Sequence, residues 1–435
     1  MIVQQKKIER IGLSTIIYSF YNLYYISGYN GTYHNYVIVG LLLLWNLVAF
    51  LDNNRAYQRA VFCKPNIYLM FFMLFYFFTS TMVAGIVYTL EYIMIFLSFY
   101  GCLTQFLYYK YKNNRKELKL IIVSTLLSFM YFAIKAISFY TINPSAARTL
   151  AADYTAFDII AIGGGYAIAF GAAILTVGIF EMLLNGTIAT SKFKKFWYYG
   201  IAICLFVLVV KTESTITLIA MMVGCIITII RRLAYGKGAS ARENGRKLLG
   251  TILIVFVTLL VLFNLNNIGK HIMDITGGDL ENLLNRRFYR IGEKLYYWGS
   301  DAGGDNYVDT RLETIRESIN TFLQYPLFGV GYKCGNVFSS LESFGVGTHS
   351  EVFDMLAQHG LVGTSLFFAF LFSGLKKIYH TTQCRICICP LMIMLIFNPF
   401  RYYHGYFAVF SLIPMICMYY GMLRPKENRG QKDER

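Results

Sequence analysis

The sequence predicts an all-α, polytopic integral membrane protein of about twelve transmembrane helices, with one large extracytoplasmic loop that contains short amphipathic helices. Three observations carry this prediction. Hydrophobic residues fill 56% of the 435 positions, charged residues only 15%, and the mean hydropathy is +0.48, which lies outside the range of soluble globular domains. Apolar runs near the length of about 20 residues that a helix needs to cross the hydrocarbon recur along the chain. Lys and Arg gather in alternate short loops, as they do on the cytoplasmic side of a membrane.

In chain order the runs lie near 11–28, 36–51, 67–83, 92–109, 120–140, 159–184, 196–210, 215–230, 248–266, 351–375, 386–400 and 406–423. The third and fourth share one apolar stretch with a weak break around Ala84 to Glu91, so eleven or thirteen spans also fit. With the amino terminus inside, the inner segments hold 28 of the 40 Lys and Arg, and the outer side and the spans hold 12. Eight of those 12 fall in the one long outer segment, 269–350, and long segments are translocated largely regardless of charge. Both termini are therefore expected in the cytoplasm. The chain divides into helices 1–9 over 1–268, the extracytoplasmic loop over 269–350, helices 10–12 over 351–423 and a cytoplasmic tail over 424–435.

Several function classes fall away on this pattern. The net charge of +16 does not indicate nucleic acid, because the basic residues sit in short inner loops such as Arg231 to Lys247, where topology and anionic lipid account for them. The first apolar run has no small-residue cleavage site and is followed by further spans, so it is read as a span and not as a signal peptide. Of the nine cysteines only Cys334 lies in an outer loop, which leaves no disulfide framework. Cys384, Cys387 and Cys389 form a CxxCxC pattern with no second cluster, and read as ordinary membrane-helix cysteines. Gly163, Gly164 and Gly165 interrupt the sixth run without a counterpart in a second half, so no inverted repeat of the carrier type is evident and close helix packing explains them.

Charge inside or beside a span is costly, so each instance is a candidate for function. Lys135 also reads as a snorkelling side chain. Lys211 and Glu213 sit at a tight outer turn, and Arg401 and His404 at another, RYYHGY. These turns would ring the mouth of an outward-facing cavity, where their cations could converge on one anion.

The long outer segment holds the densest polar chemistry. Residues 311 to 323 read as an amphipathic helix that ends at Pro326. By helical angle Leu312, Ile315, Ile319, Phe322 and Leu323 span roughly 100 degrees, with Arg311 at one edge and Arg316 at the other. Such a helix lies in the interface with its stripe down, its arginines meeting headgroups or phosphates, or simply snorkelling. Arg286, Arg287 and Arg290 form a second cationic cluster. Arginine forks suit a pyrophosphate, although Asp301, Asp305 and Asp309 of the same segment could equally pair with them. His349 stands just after Gly345 and Gly347, where the loop re-enters the membrane. It reads as a helix-start residue or as a general base near neutral pH. His359 lies deeper in the same span and on another face.

Taken together, Arg311, then Pro326, Gly329 and Gly331, then His349 with Ser350, then Gly360 and Gly363 resemble the signature of the O-antigen polymerase and O-antigen ligase superfamily. The resemblance covers about 55 residues, and the layout of twelve spans with a large late outer loop agrees with it. It implies a bacterial inner-membrane enzyme with its active site on the outer face, carrying out inverting, metal-independent glycosyl transfer without a cofactor. The donor it implies is an undecaprenyl-diphosphate-linked oligosaccharide, with membrane lipid, a chain-length regulator and a flippase as further partners. Arg311 would hold the donor diphosphate and His349 would activate or orient the acceptor hydroxyl, with Arg316, Arg286, Arg287, Arg290, Lys211 and Arg401 as further ligands of diphosphate or glycan. No carboxylate occurs in the first outer loop, Gly28 to Asn35, where metal-dependent enzymes of the oligosaccharyltransferase kind place one, so arginines are favoured over a divalent cation. Ligases carry a further arginine in a Ser-Arg-Gly motif, and KTESTIT stands there instead, with Lys211 as the nearest substitute. That departure favours a repeat-unit polymerase for O-antigen, capsule or exopolysaccharide. A ligase using the same donor is the next reading, and a non-catalytic flippase or carrier the one after.

Overall fold

The computed structural model describes residues 11–26, 32–142, 165–186, 192–212, 214–234, 265–276, 285, 288–289, 292–293, 307–331, 346–347, 350–380, 384–397 and 403–421. Among these residues every regular element is a helix. The first group comprises α1 (Leu13–Ile26), α2 (Thr32–Asp52), the short α3 (Asn54–Val61), α4 (Lys64–Ala84), α5 (Ile86–Lys112) and α6 (Arg115–Ile142). Then come α7 (Gly165–Leu184), α8 (Lys192–Lys211) and α9 (Thr215–Ala234), followed by α10 (Leu265–Thr276) and α11 (Tyr307–Gln324) in the long polar segment. The chain closes with α12 (Glu351–Tyr379), α13 (Ile388–Phe397), α14 (Tyr403–Phe407), a π-helical turn (Ala408–Leu412) and α15 (Ile413–Tyr419).

Among the described residues five helices are long and apolar enough to cross a membrane by themselves: Lys64–Ala84, Tyr92–Lys112, Arg115–Ile142, Lys192–Lys211 and Glu351–Tyr379. Shorter apolar helices, Tyr36–Asp52, Ile168–Leu184, Ile388–Phe397 and His404–Tyr419, pack among them. Their outward faces carry large exposed apolar side chains such as Met82, Val87, Leu127 and Phe196, a surface suited to hydrocarbon and not to water. The protein is therefore an integral membrane protein. Most of the ninth expected run, 248–266, and Gly163 and Gly164 lie outside the described residues.

The weak break expected around Ala84 to Glu91 is a single residue. Gly85 takes φ +84, and its N–H closes α4 on the Thr81 carbonyl at 3.2 Å before α5 starts at Ile86. A side chain is strained at that φ, so the glycine separates two helices that composition alone runs together.

The interior is aromatic. Phe72, Phe96, Phe99, Phe367, Tyr406 and Phe410 are all buried and stack from α4 and α5 through α12 to the last helices. A hydrogen bond of 2.5 Å between the Tyr18 hydroxyl and Ser411 ties α1 to the π turn.

Basic residues mark one end of the bundle. Lys112 lies 2.5 Å from Asp52 and 2.8 Å from the fully buried Glu117, joining the ends of α2, α5 and α6. Ser14 and Tyr108 also donate to Asp52, at 2.7 and 3.0 Å, and the Gly12 N–H donates to Glu117 at 2.6 Å. At the same end Arg231 pairs with the buried Glu181 at 3.0 Å, whose other oxygen accepts from the Ile386 N–H at 2.8 Å and the Cys384 thiol at 3.0 Å. Cys384 and Cys387 are buried within this packing, in the turn before α13 and not in a helix as the sequence suggests, while Cys389 lies in α13. The polar segment lies at the opposite end, where Gly331 meets Thr79 and Val83 near the finish of α4.

Candidate functional site

The turn after α11 and the start of α12 form one interlocked unit. Tyr325 precedes a proline and so is biased away from helix, and α11 stops at Gln324. Its observed start, Tyr307, is one turn earlier than the sequence suggests. The following turn uses two glycines at positive φ, Gly329 at +69 and Gly331 at +78, and α12 is broken by a third, Gly360 at +60.

These breaks exchange hydrogen bonds. In an unbroken helix the N–H groups of Leu361 and Val362 would bond to the carbonyls of Ala357 and Gln358. Instead they donate to Pro326 and Leu327 of the turn, at 2.8 and 3.2 Å, while Val330 and Gly331 donate to Ala357 and Gln358, at 3.0 and 2.9 Å. These two N–H groups and two carbonyls freed by the kink are satisfied by the turn, as burial requires. The fit leaves no room for side chains. A Cβ on Gly329 would come within 2.5 Å of the Gln358 carbonyl carbon, and one on Gly360 would collide with the Leu327 backbone. Gly363, one turn on, would meet Phe75 at 2.5 Å.

Helix α11 docks on α12 through Thr314, Ser318 and Thr321, all buried. The expected apolar stripe lies to the side of this contact: Ile315, Ile319 and Phe322 are half-buried and Leu323 is exposed. The contact face is thus a stripe of small hydroxyl residues, which lets two backbones approach closely, and the apolar side is left to meet lipid.

Ser318 then reaches the re-entry point. Its hydroxyl donates to Asp354 Oδ1 at 2.8 Å and accepts from the Gly347 N–H at 2.8 Å. Asp354 Oδ2 takes the Ser350 N–H at 3.3 Å, and Ser350 caps α12 by accepting from the Phe353 N–H at 3.4 Å. Gly347 packs so closely on the Thr314 backbone that any Cβ would overlap it. Gly347 and Ser350 are thereby held on either side of the pair Thr348 and His349. His359, at the kink, is buried edge-on to the rings of Phe72 at 5.3 Å and Tyr76 at 5.2 Å.

Of the residues singled out in the sequence, His349, Arg286, Arg287, Arg290 and Arg401 lie outside the described residues. Phe288, between two of those arginines, packs half-buried against the core. Arg311 falls within α11, and Arg316 is exposed on the same helix. Lys211 ends α8 and is half-buried. Among the described residues neither Arg316 nor Lys211 makes an ion pair. Partial burial raises the Glu317 carboxyl above the ordinary carboxylate range. His404 does not face a cavity mouth: it is buried, 3.1 Å from the Ile26 carbonyl oxygen. Lys135 lies 5.9 Å from the centre of the Tyr131 ring. Among the described residues no three His, Cys, Asp or Glu side chains are grouped to hold a metal ion.

Sequence reasoning missed Ser318 and Asp354. Both left a signal, since Thr314, Ser318 and Thr321 repeat at i, i+4 and i+7, and a serine followed by acids in the first turn marks a helix start.

The resemblance drawn from Arg311, the glycine turn and His349 is borne out by comparison with known families: residues 200–368 match the family model described as O-antigen ligase. That stretch runs from α8 through α11 and the turn into α12, so it contains the interlocked unit. Over that stretch the chain is similar to the O-antigen ligase family. No curated protein and no solved structure matched the chain.

Proposed function

We propose that the protein polymerises oligosaccharide repeat units of O-antigen, capsule or exopolysaccharide at the outer face of the bacterial cytoplasmic membrane. The observation that carries this reading is the exchange of backbone hydrogen bonds between the turn Pro326–Gly331 and the kink at Gly360. It fixes the end of the helix that contains Arg311 against the helix that begins at Glu351, two positions after His349 in the sequence. Small misplacements of reacting groups are costly in rate, and rigid support of this kind is what group transfer requires.

In the proposed reaction a hydroxyl oxygen of the new lipid-linked repeat attacks the anomeric carbon of the growing chain. The bond from that carbon to the diphosphate oxygen breaks, with inversion. His349 takes or orients the hydroxyl proton. Arg311 holds the departing diphosphate and offsets its charge, with Arg316 at the other edge of the membrane-facing stripe. By helical angle position 311 lies between that stripe and the Thr314–Ser318–Thr321 face docked on α12, which is the side nearer the re-entry point. Arg286, Arg287, Arg290, Lys211 and Arg401 are assigned to the glycan or diphosphate on charge alone.

The test is a deletion strain complemented with His349→Ala or Arg311→Lys. Folded protein should persist in the membrane while long glycan is lost and single repeats accumulate. Normal glycan length in both variants would overturn the assignment. The family description favours a second reading, a ligase with the same donor chemistry. The two separate by what builds up, because a ligase defect leaves long chains on the carrier lipid and not single repeats.

A further inference from the structure

At the end of the bundle away from the proposed site, an open-mouthed cavity of about 360 Å³ is lined by Arg115, Lys116 and Lys119 of α6, Lys194 of α8, and Tyr419 and Tyr420 at the finish of α15. Four cations from two helices that are distant in the sequence thus face one concavity, and among the described residues no carboxylate lines it. Other cations at this end tie elements of the fold together. Lys112 is closed off by Asp52 and Glu117, Arg231 by Glu181, and Arg385 donates to the His380 carbonyl at 3.0 Å. Glu117, near the cavity in sequence, bonds to Lys112 and the Gly12 N–H through one of its oxygens.

The surroundings place the cavity at a membrane edge. Directly beyond it α6 exposes Val123 and Leu127, and α8 exposes Phe196 and Trp197. Aromatic side chains of this kind settle at the level of lipid headgroups, and the aliphatic ones suit acyl chains. The floor is shaped by structure of its own: the Tyr420 hydroxyl donates to that of Tyr198 at 3.3 Å, and Arg115 reaches the Tyr419 carbonyl at 3.4 Å. Asn114 caps the first turn of α6, accepting from the Lys116 N–H at 3.0 Å. The positive end of a 28-residue helix therefore adds its field to that of the lysines.

We propose that this cavity binds the phosphate of an anionic phospholipid headgroup from the cytoplasmic leaflet, with the acyl chains lying along α6 and α8. Clusters of Lys and Arg on that side draw anionic lipid, and here the cluster has a shaped pocket to receive the headgroup. The site is independent of the glycan reading, because it involves neither α11 nor α12.

The experiment uses the full-length protein, delipidated in a neutral detergent and titrated with phosphatidylglycerol or phosphatidylcholine, with bound lipid counted by native mass spectrometry. The wild type should hold phosphatidylglycerol in preference to phosphatidylcholine. Lys119→Ala/Lys194→Ala should weaken that binding about thirtyfold. Lys192→Ala/Lys195→Ala removes the same charge from exposed positions of α8 outside the cavity and should leave it unchanged. If inorganic phosphate binds the wild type, displaces phosphatidylglycerol and is lost in the cavity variant, the phosphate chemistry stands and the free ion is its source. Equal phosphatidylglycerol binding in all three proteins, equal losses in both variants, or no preference over phosphatidylcholine would overturn the proposal.

Discussion

The two ends of the bundle each set a buried carboxylate, Glu117 at one and Asp354 at the other, among different partners. At the basic end Asp52 and Glu117 are neutralised by Lys112 and clamp three helices together. At the other end Asp354, equally buried, takes hydrogen bonds from the Ser318 hydroxyl and the Ser350 N–H and anchors a loop to two helices. The first arrangement serves stability, since breaking a buried ion pair leaves an uncompensated charge. The second positions a segment through hydrogen bonds from a hydroxyl and a backbone N–H. The largest effect on folding should accordingly come from the first. Lys112→Met is expected to cost about 3 kcal/mol, read as a marked fall in the thermal unfolding temperature in detergent, while glycan made per folded molecule stays normal. Unfolding at the wild-type temperature would show that the pair does not hold the helices.

The backbone of the turn end should break next. Gly360→Ala places a side chain at φ +60 and ψ −167, a region nearly confined to glycine, which costs about 1–3 kcal/mol, and adds a collision with the Leu327 backbone. The expected outcome is a folded protein whose turn has come away from α12. Hydrogen exchange at Val330, Gly331, Leu361 and Val362 should rise, and long glycan should be lost. Gly200→Ala is the control, because a Cβ there meets nothing within 4 Å. If both substitutions leave exchange and glycan unchanged, the interlock does not position the site.

The contrast between the ends also explains what was legible in the sequence. The all-helical membrane character and the likeness to the O-antigen ligase family were readable because each rests on local composition or spacing. The helix of the polar segment was readable too, yet its docking face was not. The search was for an apolar stripe, and the contact runs through Thr314, Ser318 and Thr321, where the requirement is small size and hydrogen bonding. The meaning of the glycines was only half visible. PxxGxG announces a turn, but that its freed bonds are completed by a kink at Gly360 is a pairing across the fold that no local pattern encodes. Lys112 reads as one more inner-loop cation, and only the folding of Gly12, Asp52 and Glu117 around it turns it into the centre of a clamp.

The positioning network at Asp354 should give an intermediate effect. Asp354→Asn keeps the shape but sets an amide donor against either the Ser318 hydroxyl or the Ser350 N–H, at a cost of about 1–3 kcal/mol. Ser318→Ala removes one link and leaves the Gly347 N–H without its acceptor, at about 1 kcal/mol. Because the two residues share one network, the double variant should cost less than the sum. Glycan chains should shorten in all three, in the order of the stability losses. Additive costs with normal chain length would mean that the network supports the fold and not the reaction.

The smallest structural effect belongs to Arg316, which is exposed and among the described residues makes no ion pair. Nothing in the fold depends on its charge, so Arg316→Ala should unfold with the wild type. Its functional effect is the sharper measure, since it lies across the apolar stripe from Arg311. If both edges grip one diphosphate, Arg316→Ala should shorten glycan chains and Arg316→Lys should restore part of the length, because an ammonium keeps the charge but not the planar fork. Wild-type chain length in Arg316→Ala would confine donor binding to the edge that adjoins α12. The docked face of α11 would then be the side that matters for chemistry, and the far edge would serve only to seat the helix on the membrane.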